Sequence, residues 1–182
     1  MTVYPDPLPL KLRILRSLTD VLKTITPENG YQTDLSDVDP GDGTMTSRVY
    51  RGRLWFGPAD PVPMISILEG VTPGDDVGEP PLSTAASEYT WPILIQGFVK
   101  DDSDHPTDPA YILMADVRRR LALEARRKVS NDTLILGFRD NQVIKMTIGS
   151  GVVRPADDVS AYAYFWLSLE LRIFDKAAEP YA

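Results

Sequence analysis

Hydrophobic and polar positions alternate most strictly near the C-terminal end. Phe165, Leu167, Leu169, Leu171 and Ile173 fall on one side, and Tyr164, Trp166, Ser168, Glu170 and Arg172 on the other. That is the period of a strand with one buried and one mostly solvated face. Extended from Ala161 to Phe174 it spans about 45 Å, long for a strand. A different period governs the N-terminal end. Ile14, Leu15, Leu18, Val21, Leu22 and Ile25 recur at helical spacing. Asp6-Pro7 offers a cap and a first-turn proline, and Pro27 with Asn29-Gly30 ends the pattern, so a helix is predicted at about 8–25. Ala110, Leu113, Met114, Val117, Leu121 and Ala125 mark a second amphipathic helix behind Asp108-Pro109, with Arg118 and Arg119 outside its apolar face.

Between these elements the pattern is that of strands. Tyr31–Val38 alternates weakly, Ser47–Phe56 more clearly, and Met64–Glu69 and Glu88–Val99 are apolar runs bounded by Gly and Pro. Thr133–Phe138 and Gln142–Ile148 read as short strands joined at Asp140-Asn141, and RPADDVS (154–160) leads into the final strand. Gly70–Ser87 keeps no periodicity and is rich in Pro, Gly and acids, the profile of a long loop. These elements predict one domain over residues 1–182, of the α+β class. One mostly antiparallel sheet of about five to seven strands is expected, with two main helices packed on one face and a long loop at about 70–87.

Composition narrows the chemistry. The 182 residues include no cysteine, which removes disulfides, thiolate metal sites and thiol nucleophiles. No apolar run approaches the ~20 residues of a membrane span, and MTVYPDPLPL lacks the basic start of a signal peptide, so no membrane association is expected. The net charge of −7 is unevenly spread. Leu54–Val99 holds no Lys or Arg, and Asp34, Asp37, Asp39 and Asp42 form another acidic run. Arg118, Arg119, Arg120, Arg126, Arg127 and Lys128 are the basic counterpart. A nucleic-acid binder is expected to be basic; a polarised chain suits charge-matched association with protein. The arginines are also what a solvated helix end would carry, complementing the helix dipole.

No phosphate-binding glycine loop, nucleophile elbow, metalloprotease helix or EF-hand is present in the sequence. His105, the only histidine, stands among Asp101, Asp102, Asp104 and Asp108. A solvated loop whose last aspartate caps a helix is the plainer reading of that cluster than a metal site. No catalytic residue, cofactor site or metal site is assigned, and no enzyme activity is expected. A hydrolase using paired acids, or a monomeric binding module, is the competing class.

Several motifs in order resemble the tail terminator (tail completion) proteins of long-tailed bacteriophages, the group that includes the lambda-like terminators. After the N-terminal helix come G-Y-x-T-D at Gly30–Asp34 and R-V-Y-R-G at Arg48–Gly52. W-P-I-L-I-Q-G-F-V follows at Trp91–Val99, then D-P-A-Y-x-L-x-A-D-V-R-R at Asp108–Arg119. The last is R-P-A-D-D-V-S-x-Y-A-x-F at Arg154–Phe165. The resemblance implies a structural virion protein of the tail and neck, made in the bacterial host cytoplasm. It implies a homo-oligomeric ring, a hexamer, that caps the finished tail tube, ends its polymerisation and presents a joining surface to a head–tail connector or stopper protein. Another neck component, such as a connector or stopper itself, is the alternative. In such a ring DNA passes through the lumen without specific binding, and an acidic lumen would repel phosphates. Asp34, Asp37, Asp39, Asp42, Asp75, Asp76 and Glu79 are therefore candidate lumen- or tube-facing residues. Arg118, Arg119, Arg126 and Arg127 are candidate contacts to a neighbour, as are Tyr162, Tyr164 and Trp166 of the long strand.

Overall fold

A computed structural model describes residues 7–54, 56–57, 60–70, 87–129, 132–139, 142–157, 160–176, 179 and 181. Helix α1 (Leu10–Lys23) is followed by β1 (Val49–Arg51), β2 (Met64–Glu69) and β3 (Ser87–Val99). Helix α2 (Asp108–Ala125) comes next, then β4 (Lys128–Val129), β5 (Asp132–Thr133), β6 (Val143–Arg154) and β7 (Ala163–Asp175). The main sheet has five strands in the order β1-β2-β3-β7-β6. Only β1 and β2 are parallel, and β4 and β5 form a separate two-residue ladder. The fold is α+β.

The alternating strand, β7, is an interior strand of this sheet, with a neighbour on each side. β7 pairs with β3 from Ser87↔Asp175 to Val99↔Ala163, and with β6 along its other edge. Phe165, Leu167, Leu169, Leu171 and Ile173 are fully buried, and Ser168, Glu170 and Arg172 are exposed, as the period requires. The buried row joins Ile14, Leu18, Leu22, Ile25, Leu113, Val117 and Leu121 of the helical faces in one core. Fully burying each such aliphatic or aromatic side chain contributes roughly 1.5–3 kcal/mol.

Four sequence expectations are corrected. Tyr31–Val38 is not a strand. Tyr31 and Leu35 are buried, but only Val38 makes a bridge, to Thr46. Backbone donors of this segment are satisfied elsewhere: Gln32 and Thr33 donate to Asp116, Leu35 to the Ile25 carbonyl, and Ser36 to the Asp34 side chain. Side chains thus compete with a ladder for the backbone. The strand expected at Ser47–Phe56 is confined to Val49–Arg51, ended by Gly52 at φ 68°. Ile135–Gly137 is a 3-10 turn with Leu136 at φ 56°, not part of a strand. β6, conversely, does not stop at Ile148. It continues to Arg154 through register shifts, with Gly149 against Ser168 and Gly151 against Met114, where a Cβ would overlap those side chains. The helix starts also differ by a residue or two. α1 begins at Leu10 behind Pro9, and Thr107 takes the capping position of α2, leaving Asp108 in the first turn.

Asp116 couples α2 to the 31–35 segment. Its buried Oδ2 accepts from the Gln32 and Thr33 amides and the Thr33 hydroxyl, each at 2.9 Å. Removing it orphans those donors. Asp116→Ala is expected to cost about 3 kcal/mol in urea unfolding, and Asp116→Asn, which keeps an acceptor oxygen, clearly less. Equal losses for both would show that charge, not acceptance, holds the segment.

Tyr89 gives a pH signature. Its hydroxyl donates to Asp175 Oδ2 at 3.3 Å, and burial first, then the Asp175 carboxylate, push its pKa up to about 12 from 10.0. The folded chain keeps this proton longer than the unfolded chain. The contribution is therefore intact below pH 10 and lost as pH rises from about 10 to 12. Tyr50 and Tyr164 are raised for the same leading cause and act in the same direction. Unfolding midpoints measured from pH 8.5 upward are expected to fall less steeply in Tyr89→Phe; an unchanged slope would remove Tyr89 from the account.

Candidate interaction surface

The aromatic residues expected to meet a neighbour lie on the outer face of the sheet. Gln96↔Trp166 and Phe98↔Tyr164 are direct cross-strand pairs of β3 and β7. Their parity is opposite to that of Ile93, Ile95, Phe165 and Leu167 in the core. On that face the centre of β7 carries Ser168, Glu170 and Arg172, whereas this end carries rings. Phe56 lies 4.5 Å from Phe98, Phe98 is 6.1 Å from Tyr164, and Tyr164 is 5.3 Å from Trp166 edge-on. Leu54, 68% exposed, and Tyr162 complete the walls of a groove of about 520 Å³. Tyr162, Tyr164 and Trp166 are thus brought together. Leu54, Phe56, Gln96 and Phe98 are lining residues that sequence reasoning missed; the signal was aromatic side chains at positions of polar parity.

The approach to β7 is fixed by Asp157. Its Oδ1 accepts from the Ser160 amide at 2.9 Å, and its own amide donates to the Ser160 carbonyl. Oδ2 accepts the Tyr164 hydroxyl proton at 2.9 Å. Burial, this bond and the carboxylate charge raise the Tyr164 pKa, opposed by nearby Arg154. Tyr164 is therefore a pinned wall of the groove. The side chains of Trp166 and Gln96, by contrast, make no hydrogen bond among the described residues, so an indole N–H and an amide are free for a ligand.

The arginines of α2 divide into two groups. Arg119 donates to the Gly30 carbonyl at 2.6 Å and lies over the Tyr31 ring, and Arg127 pairs with Glu124 at 3.5 Å. Arg118 and Arg126 are exposed and form no ion pair among the described residues. Among the acids, Asp37 pairs with Lys23 at 2.7 Å. Asp34 accepts from Ser36, which lowers its pKa first, despite partial burial. Asp39 and Asp42 accept from backbone amides of Gly41, Gly43 and Thr44 in an exposed turn. Asp75, Asp76 and Glu79 lie outside the described residues. Asp102, beside His105, likewise organises a turn, accepting from the Asp104 and His105 amides.

In comparison with known proteins, no family model and no curated protein matches the chain.

Proposed function

We propose that this protein is a structural subunit of a phage tail, a terminator whose ring caps the tail tube and offers a surface to the head connector. The observation that carries the reading is that the motifs behind the resemblance are physically coupled. Asp116 and Arg119 of the Asp108–Arg119 motif hold Gly30, Gln32 and Thr33 of the Gly30–Asp34 motif. Arg48 of the next motif donates to the Asp34 carbonyl at 2.6 Å. Gly97, Phe98 and Val99 pair directly with Phe165, Tyr164 and Ala163. Residues scattered over 136 positions of sequence, from Gly30 to Phe165, therefore act as two packed units. An aromatic groove on one side and unpaired arginines on another supply two unlike surfaces, which a head-to-tail ring requires. The exposed acids Asp37, Asp39 and Asp42 suit a surface past which DNA moves without binding.

Negative-stain imaging and mass photometry of the purified chain, alone and with polymerising tail tube protein, test the reading. Six-fold rings and tubes halted at a capped end are expected. A monomer at high concentration that leaves tube growth unchanged would overturn it, and rings that bind a connector but ignore tubes would favour another neck role. Arg118→Glu with Arg126→Glu is expected to weaken ring assembly by at least tenfold in concentration while leaving thermal stability within about 1 kcal/mol of the parent. Unchanged assembly would remove these arginines from the contact and leave the ring intact.

A further inference from the structure

The groove has a shape and chemistry that select one kind of occupant. Its walls are aromatic, Gln96 and Trp166 line it with an amide and an indole N–H that make no hydrogen bond among the described residues, and Arg154 stands beside Tyr164. Such a surface matches a proline-containing extended segment. Pyrrolidine rings lie flat on aromatic faces, and a polyproline helix leaves every carbonyl unpaired and available to side-chain donors. The chain carries such a segment ahead of α1: Tyr4-Pro5-Asp6-Pro7-Leu8-Pro9, with proline at every second position. Each proline restrains the residue before it to extended conformations, and Pro9 itself has φ −55° and ψ 144°, polyproline geometry. Asp6 supplies a negative charge to match Arg154.

The arm leaves the fold far from its own groove. Lys11, one residue into α1, sits 5.0 Å above the Trp91 ring and 5.6 Å above Tyr89, near the start of β3 and on the core side of the sheet. The groove lies on the other face, five to seven residues further along β3, about 17–23 Å away at strand rise. Six residues of arm extend at most about 20 Å, too little to cover that distance and also round the sheet. The groove of a second copy has no such restriction. We propose that the 4–9 arm of one copy docks in the Phe98–Tyr164–Trp166 groove of the next, with Trp166 Nε1 and the Gln96 amide donating to arm carbonyls and Asp6 facing Arg154. Because the arm is attached near the start of β3 and the groove lies near its end, the contact joins unlike surfaces, is head-to-tail and repeats from copy to copy. The inference deepens the ring reading and rests on it for closure, but not for the contact itself.

The absence of cysteine from the chain makes the test clean. Full-length protein carrying Pro5→Cys and Leu54→Cys is oxidised at dilute concentration and run without reductant. Leu54 is exposed on the groove wall, and Pro5 belongs to the arm. A ladder of disulfide-linked multimers is expected, because a bridge forms only when the Cα atoms come within about 7 Å. The Pro5→Cys, Ser168→Cys chain, with its second thiol at the centre of the same sheet face, is expected to give at least tenfold less. Trp166→Ala in the first background is expected to reduce the ladder about tenfold, as loss of an aromatic anchor does. A synthetic peptide of residues 2–11 is expected to compete. Equal ladders at Leu54 and Ser168, or an intrachain bridge alone, would overturn the proposal. So would closed rings on imaging with no ladder, leaving the ring reading standing. A ladder with no closed rings would sustain the arm contact and overturn the ring instead.

Discussion

Glu124→Ala is expected to destabilise the protein by about 4 kcal/mol, lowering its melting temperature by roughly 10 °C. Glu124 is 2% exposed at the end of α2. One oxygen accepts from the buried Leu136 amide at 2.9 Å and faces Arg127 at 3.5 Å, and the other accepts from Arg120 at 3.2 Å. Arg120 also donates to Thr24 at the end of α1, so the carboxylate joins both helices and the 135–137 turn. Alanine would leave a buried N–H without an acceptor and two cations without a counter-charge. Relaxation of Leu136, whose left-handed backbone at φ 56° costs roughly 1–2 kcal/mol for a residue with a Cβ, would return only part of that loss. Glu124→Gln keeps an oxygen for the Leu136 amide and is expected to lose about half as much. Denaturant titrations of both variants decide the matter; an alanine cost below about 1 kcal/mol would mean that water replaces the carboxylate and that the turn is held by packing alone.

The second large effect is expected at Gly97, where Gly97→Ala should cost about 3 kcal/mol. Gly97 faces Phe165 directly across the β3–β7 ladder, and Phe165 is among the largest fully buried side chains. The ring occupies the space over the glycine, so a methyl there would overlap ring carbons. The ring is locked in the core and cannot swing aside cheaply. Phe165→Leu frees that space, so the double variant is expected to be more stable than the sum of the two single losses by at least about 1 kcal/mol. Strict additivity would show that the strand backbone, and not the ring, yields. Gln96 and Phe98 flank this position and line the groove, so a shift of β3 should also move the emission of Trp166, directly opposite Gln96.

Elements that bury a periodic face were legible in the sequence. α2 places Ala110, Leu113, Met114, Val117 and Leu121 in the interior as their spacing demands, β2 occupies Met64–Glu69, and β7 alternates through its second half. What was not legible depends on partners distant in sequence. Tyr31 and Leu35 are as buried as strand residues, but Asp116, more than 80 positions away, takes the amides between them. Thr133–Phe138 looked extended until Glu124 and Ser17 drew Leu136 into a turn. Gly149 and Gly151 looked like the end of a strand, whereas they are the positions where β6 lets Ser168 and Met114 come close. The interaction surface was half legible. Tyr162, Tyr164 and Trp166 stood out by parity in one stretch, although Tyr162 lies just ahead of β7. Phe56 and Phe98 joined them only when the β3–β7 register and the chain beyond Gly52 brought a second and third segment alongside.

The position of β7 between β3 and β6 has a consequence for how the chain is made. Every other strand of the main sheet leaves the ribosome before residues 163–175 do. Until they emerge, β1, β2 and β3 form a three-stranded piece with an unpaired edge, and β6 has no partner in the main sheet at all. Translation therefore holds the subunit open to the end of this segment. The groove, which needs Tyr164 and Trp166, comes into being at the same step that closes the core, so nascent chains have no finished surface with which to engage their neighbours.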